Sequence, residues 1–99
     1  MFTDFDQTIT LAQAVALTQA FRAANPPTAV KAEVSGKTII EQILAQTGCK
    51  GIRVYKGLDA TGVPSNVLVG IDANGNDMVD GVLGNRSVKD LGSPNVLNS

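Results

Sequence analysis

The sequence contains no histidine and no tryptophan, one cysteine, and only three Phe and one Tyr as aromatics. Without histidine, the commonest general base and the commonest metal ligand near neutral pH are both missing. A lone Cys49 can close no internal disulfide and complete no cysteine-rich zinc site, and with no histidine it has no activating partner for nucleophilic work. No run approaches the roughly 18 apolar residues of a spanning helix. The N-terminal MFTDFDQT lacks the basic and apolar regions of a secretory signal. The expected setting is therefore soluble, reducing and cytoplasmic, with no membrane partner. Charge of either sign is scarce too. Eight Lys and Arg stand against nine Asp and Glu, a net charge of -1. That leaves no basic stripe for phosphates and no aromatic platform for stacked bases, which argues against nucleic acid as a partner. No cofactor is implied.

What is present is aliphatic. Ninety-nine residues with a 43% hydrophobic fraction make a single domain, 1–99, whose modest core rests on Ile, Leu, Val and Ala. Thr10 to Gln13 fits a capping box. Leu11, Ala14, Leu17, Phe21 and Ala24 then recur at helical spacing until Asn25-Pro26-Pro27 stops the run. Phe2 and Phe5 are possible anchors ahead of this helix. Thr28 to Val34 reads as a short strand or extended connector. A second helix starts near Ser35 or Gly36, with a further capping box offered by Thr38 and Glu41. Its stripe is Ile39, Ile40, Ile43 and Leu44, and Gly48 stands where a left-handed C′ glycine belongs.

Gly48 to Asp80 then reads as a β-meander. GIRVY points Ile52 and Val54 one way, Arg53 and Tyr55 the other. NVLVGID is apolar on both faces, through Val67, Val69 and Ile71 alternating with Leu68 and Gly70. It is therefore expected to be central, either covered on both sides or paired across an interface. Asn74-Gly75 signals a type I′ hairpin into DMV. The fold expected is α+β: two amphipathic helices packed on a small antiparallel meander in two layers. Both chain ends are expected to pack on the domain or on neighbouring subunits.

Several motifs invite chemistry. Asp72, Asn74, Asn76 and Asp80 occupy the first, third, fifth and ninth positions of an EF-hand-like loop, where alternate oxygens suit a hard cation. Asp77, however, replaces the sixth-position glycine, and Leu83 replaces the twelfth-position glutamate. The competing reading is a hairpin turn capped by Asp72. SGKT at Ser35 to Thr38 matches the end of a phosphate-binding loop, but Lys31 stands where its first glycine should be, leaving a helix start. Asp4 and Asp6 in DFDQTIT resemble the first motif of haloacid-dehalogenase-type phosphotransferases, with Asp4 as nucleophile and Asp6 as acid/base. GND at Gly75 to Asp77 echoes that family's magnesium motif. That chemistry needs a buried parallel strand ahead of Asp4, and only Met1 to Thr3 precede it. Cys49 is expected as a small buried thiol. Arg53 and Tyr55 are either a recognition surface or an internal ion pair, with Tyr55 packed under the first helix.

TQAFRAANP, GKTIIEQILAQTGCKGIRVYKGLD and LVGIDANGND together resemble a group of small proteins of Bacteroidota-type bacteria with no established activity. The likeness runs from about Thr10 to Asp77. It implies a bacterial source and a self-contained domain, and it carries over no catalytic residue. The function expected is a non-enzymatic, self-associating module that forms homo-oligomers, rings or filaments, with Arg53, Tyr55, Val67, Val69 and Ile71 as interaction residues. The alternatives are a small regulatory or ligand-binding domain whose polar turns, Asp59 to Ser65 and Asp72 to Asp77, bind a cation or small molecule, and an enzyme built on Asp4, Asp6, Asp72 and Asp77.

Overall fold

Thr10 opens helix α1 (Leu11–Ala24) as the sequence predicts. Its hydroxyl accepts from the Gln13 amide at 3.1 Å, and the Gln13 side chain accepts from the Thr10 amide at 2.8 Å. Two otherwise orphaned amides are thereby satisfied. The computed structural model describes residues 1–85, 87–92 and 94–98, and of Asp90 the backbone alone. After α1 come β1 (Ala32–Val34), α2 (Lys37–Leu44), β2 (Gly51–Tyr55), β3 (Val67–Ile71), β4 (Leu83–Gly84), β5 (Val88–Asp90) and a 3-10 turn at Val96–Asn98. The α+β class holds, with small antiparallel sheets.

The meander forms a three-stranded sheet in the order β2-β3-β4. Register pairs Ile52 with Gly70 and Val54 with Leu68 on the face toward α2. Gly51 with Ile71, Arg53 with Val69 and Tyr55 with Val67 lie on the opposite face. On the first face α2 supplies Ile43, wholly buried, with Leu68 almost fully enclosed beside it. Glycines permit this close approach. A Cβ on Gly70 would stand 3.3 Å from Ile43 Cγ2, and one on Gly84 only 2.8 Å from Ile39 Cγ1. On the other face Phe2 lies over Gly51 beside Ile71, and its amide donates to the Ala73 carbonyl at 3.0 Å. Phe2 is thus the anchor, whereas Phe5 is exposed.

Four details differ from the sequence reading. First, α2 has Gly36 as its N-cap with no side-chain cap, so Thr38 and Glu41 form no capping box. The helix ends at Ala45, and Gly48 (φ 83) instead serves the turn in which Cys49 N–H reaches the Gln46 carbonyl. Second, the Asp72–Asn76 connection is not a two-residue type I′ loop. The Asp72 amide closes on the Asn76 carbonyl, the Gly75 amide on the Asp72 carbonyl, and Gly75 alone is the left-handed glycine (φ 81) of a three-residue loop. The Asp72 carboxylate dictates this shape by accepting from the Asn74 amide at 2.9 Å and the Asn76 amide at 3.0 Å.

Third, DMV makes a single bridge, Asp77 to Ile71, before a turn delays the third strand to Leu83. Fourth, α1 does not lie on the meander. The tail supplies β5, which pairs with β1 in a second, two-stranded sheet, Val34 opposite Val88. Among the described elements α1 packs only against the 3-10 turn. Its most inward residues are Ala14, Val15, Thr18 and Arg22, all only half-buried. The predicted stripe is therefore rotated outward, with Leu17 65% and Phe21 46% exposed.

The two sheets are bolted together through Glu33. Its carboxylate accepts from the Asn66 amide at 3.0 Å and from the Ser87 hydroxyl, and it pairs with Lys89 at 3.3 Å. Burial alone would raise the Glu33 pKa. The hydrogen bonds from Ser87 and Asn66 and the nearby Lys89 charge outweigh it and hold the carboxyl below its ordinary range.

Candidate functional site

Strand alternation and the Ile71–Asp77 bridge bring Arg53, Tyr55 and Asp77 onto one sheet face. The Arg53 guanidinium meets the Asp77 carboxylate at 2.6 Å, and the Tyr55 hydroxyl donates to the other Asp77 oxygen. The hydroxyl, then the guanidinium, hold the Asp77 carboxyl below its ordinary value. Asp77 in turn raises Arg53. Arg53 and Tyr55 thus share a face as expected, and Arg53 has the neighbouring carboxylate. Tyr55 is not packed under α1, which lies elsewhere. The three groups satisfy one another on the sheet face that carries Val69. Val69 (2% exposed) and Ile71 are enclosed by the chain itself, whereas Val67 is 37% exposed. Central β3 is covered on both faces, which removes Val69 and Ile71 as a docking surface. The covers are α2 on one face and Phe2, from the N-terminal segment, on the other.

The oxygen-rich turn gathers no ligand cage. Asp72 is committed to the Asn74 and Asn76 amides and Asp77 to Arg53 and Tyr55, while Asp80 sits exposed on the following turn. Among the described residues, no three His, Cys, Asp or Glu side chains converge as a metal would require. Asp4 is exposed, and Asp6 accepts from the amide and hydroxyl of Thr8, which lower its pKa. The structure does not bring Asp4 and Asp6 together with Asp72 and Asp77 as a ligating group. Lys37 of SGKT pairs with Glu41 at 3.5 Å in solvent. Cys49 is half-buried, its thiol directed to the Gly51 carbonyl at 3.3 Å.

A repeat that the sequence reading passes over becomes visible here. Asp59-Ala60-Thr61-Gly62-Val63 folds as Asp72-Ala73-Asn74-Gly75-Asn76 does. Asp59 accepts from the Thr61 and Val63 amides, Gly62 (φ 82) is left-handed, and the loop closes between the Asp59 amide and the Val63 carbonyl. The Thr61 hydroxyl and the Val63 amide hold Asp59 below its ordinary value. The shared Asp-Ala-x-Gly pattern was the available signal. Both loops use their aspartates as structural caps.

A solvent-facing groove lies beside α1. Leu17 and Phe21 of α1, Ala32 of β1, and Val96 and Leu97 of the 3-10 turn line an open, largely apolar groove of about 680 Å³. Arg22 caps one rim by donating to the Leu97 carbonyl. Lys31 caps the other by donating to the carbonyls of Pro27 (2.7 Å) and Leu91 (2.8 Å). The groove continues onto the outer face of β1 and β5, where Val34 and Val88 stand side by side, 57% and 66% exposed. The Glu33 and Lys89 side chains occupy the other face of this ribbon.

No helix among the described residues is long and apolar enough to cross a membrane. Compared with protein-family models, curated proteins and solved structures, the chain matches none.

Proposed function

We propose that this chain is a non-enzymatic assembly module whose copies associate with one another, burying apolar surface that one copy leaves in water. The observation that carries the reading is the surface itself. The chain exposes 7126 Å², whereas a compact monomer of its mass exposes about 5,400 Å². The excess, about 1,800 Å², is larger than the ~800 Å² that each partner contributes to a standard interface. The radius of gyration, 15.2 Å, is likewise above the ~12.6 Å of a compact chain this long.

Two further observations support the reading. A 14-residue helix with no buried residue is marginal in water, because helices of about 12–15 residues owe their stability mainly to packing of an apolar face. The buried core comprises Ile43, Leu68, Val69 and Ile71, while leucines, valines and two phenylalanines, Phe5 and Phe21, face solvent. Association ties stability to protomer concentration. The thermal midpoint should therefore rise by several degrees between micromolar and near-millimolar chain. A midpoint independent of concentration over that range would rule the proposal out.

A further inference from the structure

We infer that Asn74 is a site of spontaneous covalent modification, where the Gly75 backbone nitrogen displaces ammonia from the side-chain amide, and that the Asp72-capped loop is the clasp that sets its rate. This is independent of the self-association proposed above.

The chemistry needs a free side-chain amide followed by an unhindered backbone nitrogen. Asn74-Gly75 is the one asparagine–glycine pair in the sequence. Glycine has no Cβ to crowd the attacking nitrogen. Asn25 precedes Pro26, which has no N–H, and Asn66 precedes the β-branched Val67. Asn76 is as exposed as Asn74, but Asp77 follows it with a Cβ and a carboxylate. The Asn74 side chain makes no hydrogen bond among the described residues. By contrast, the side-chain nitrogen of Asn85 is held by the Asn66 carbonyl and the Ser65 hydroxyl. The matching loop at Asp59 offers an internal comparison: Thr61 stands ahead of Gly62 there and has no amide to lose.

In the reaction the Gly75 nitrogen gives up its proton and bonds to Asn74 Cγ, the Cγ–Nδ2 bond breaks, and ammonia leaves with the proton. Water then opens the cyclic imide at either carbonyl, leaving aspartate or isoaspartate. The closed loop opposes the first step. The Gly75 N–H donates to the Asp72 carbonyl at 3.0 Å. The Asp72 carboxylate, held by the Asn74 and Asn76 amides at 2.9 and 3.0 Å, disfavours a second negative charge beside it. Attack therefore proceeds from the opened loop. An aspartate at position 74 fits the loop again, because the loop uses only the backbone of that residue. Isoaspartate lengthens the backbone by one carbon, about 1.5 Å. That breaks the closure between Asp72 and Asn76 and the register that carries Asp77 to Arg53 and Tyr55.

The experiment incubates the wild-type chain in mildly alkaline buffer, folded and in urea, and maps isoaspartate at each asparagine by peptide mass spectrometry. Product should form at Asn74 ahead of every other asparagine, and about tenfold or more faster in urea than in the folded chain. A folded Asp72 variant (Asp72→Ala, or Asp72→Glu where alanine unfolds the chain by circular dichroism) should react faster than the folded wild type. Hydrogen exchange then separates added charge from added backbone. Asn74→Asp should protect the Asp72 and Asn76 amides as the wild type does, and the purified isoaspartate form should not. Faster product at another asparagine, a folded rate equal to that in urea, a rate unmoved by the Asp72 variant, or full protection in the isoaspartate form would overturn the inference.

Discussion

Shortening Ile43 to alanine probes the one side chain that, among the described residues, the fold encloses completely. The change deletes three carbons, about 2.4 kcal/mol of transfer free energy at ~0.8 kcal/mol per methylene. A cavity contribution adds to this where the walls cannot relax. Here they cannot relax easily. One wall is the backbone of Gly70, close enough that a Cβ there would stand 3.3 Å from Ile43 Cγ2. That backbone is fixed by β2 on one side and by the Met78 amide, 2.8 Å from the Gly70 carbonyl, on the other. The expected cost is about 3–4 kcal/mol, within the range for buried Ile→Ala changes, or a thermal midpoint lowered by roughly 12–30 °C. Leu44, the next residue and 49% exposed, should cost about 1 kcal/mol on the same change. Urea unfolding followed by circular dichroism, at one fixed protomer concentration, reads both. Equal costs for the two variants, or a loss below about 1 kcal/mol at Ile43, would refute the placement of the core between α2 and β3.

Gly57→Ala places a Cβ 2.6 Å from the Ser65 carbonyl oxygen, so it should destabilise by about 1–3 kcal/mol in the same urea assay. Gly36→Ala, with open space around it, should not show that clash penalty. Acid should weaken the fold in a defined direction. Asp77 and Asp59 titrate below the ordinary 3.8, and Glu33 below 4.5, so their contributions are complete above those values and are lost as pH falls through the lowered ones. Stability measured from pH 7 to pH 2 should therefore hold to about pH 5, then decline, and the decline should be shallower in Asp77→Asn. A loss centred above pH 5 would contradict the assignment. Glu33→Ala, which removes the carboxylate shared by Asn66, Ser87 and Lys89, should raise amide exchange at Asn66 and along β5 while leaving α2 protected.

Local signals in the chain survived folding wherever the relevant forces were local. The Thr10 capping box, the Asn25-Pro26 stop and the spans of β2 and β3 are set by neighbouring residues, and each stands where the pattern puts it. What the pattern could not supply was the cover. Period 3.6 in α1 announces an apolar face without saying what lies against it, and that face looks outward. The doubly apolar β3 invited a partner, yet Phe2 from the far N-terminus and α2 enclose it within one chain. The pairing of Val34 with Val88 joins weakly patterned segments from distant parts of the sequence, so β1 read as either a short strand or an extended connector, and the tail that supplies β5 has no strong periodicity of its own. The Asn74-Gly75 pair suggested the wrong turn because the Asp72 carboxylate, two residues upstream, captures two backbone amides and lengthens the loop. The same capture takes the first ligand position away from a cation. The apparent metal loop and the recognition pair Arg53–Tyr55 became parts of the scaffold, and the groove beside α1 became the feature left to explain.

The central claim is that copies of this chain associate and bury apolar surface that one copy leaves in water. Native mass spectrometry of the wild-type chain across a dilution series measures that directly. A species at twice the 10.3 kDa chain mass should appear and give way to monomer on dilution. A single species at the monomer mass at every concentration up to the near-millimolar range would contradict it.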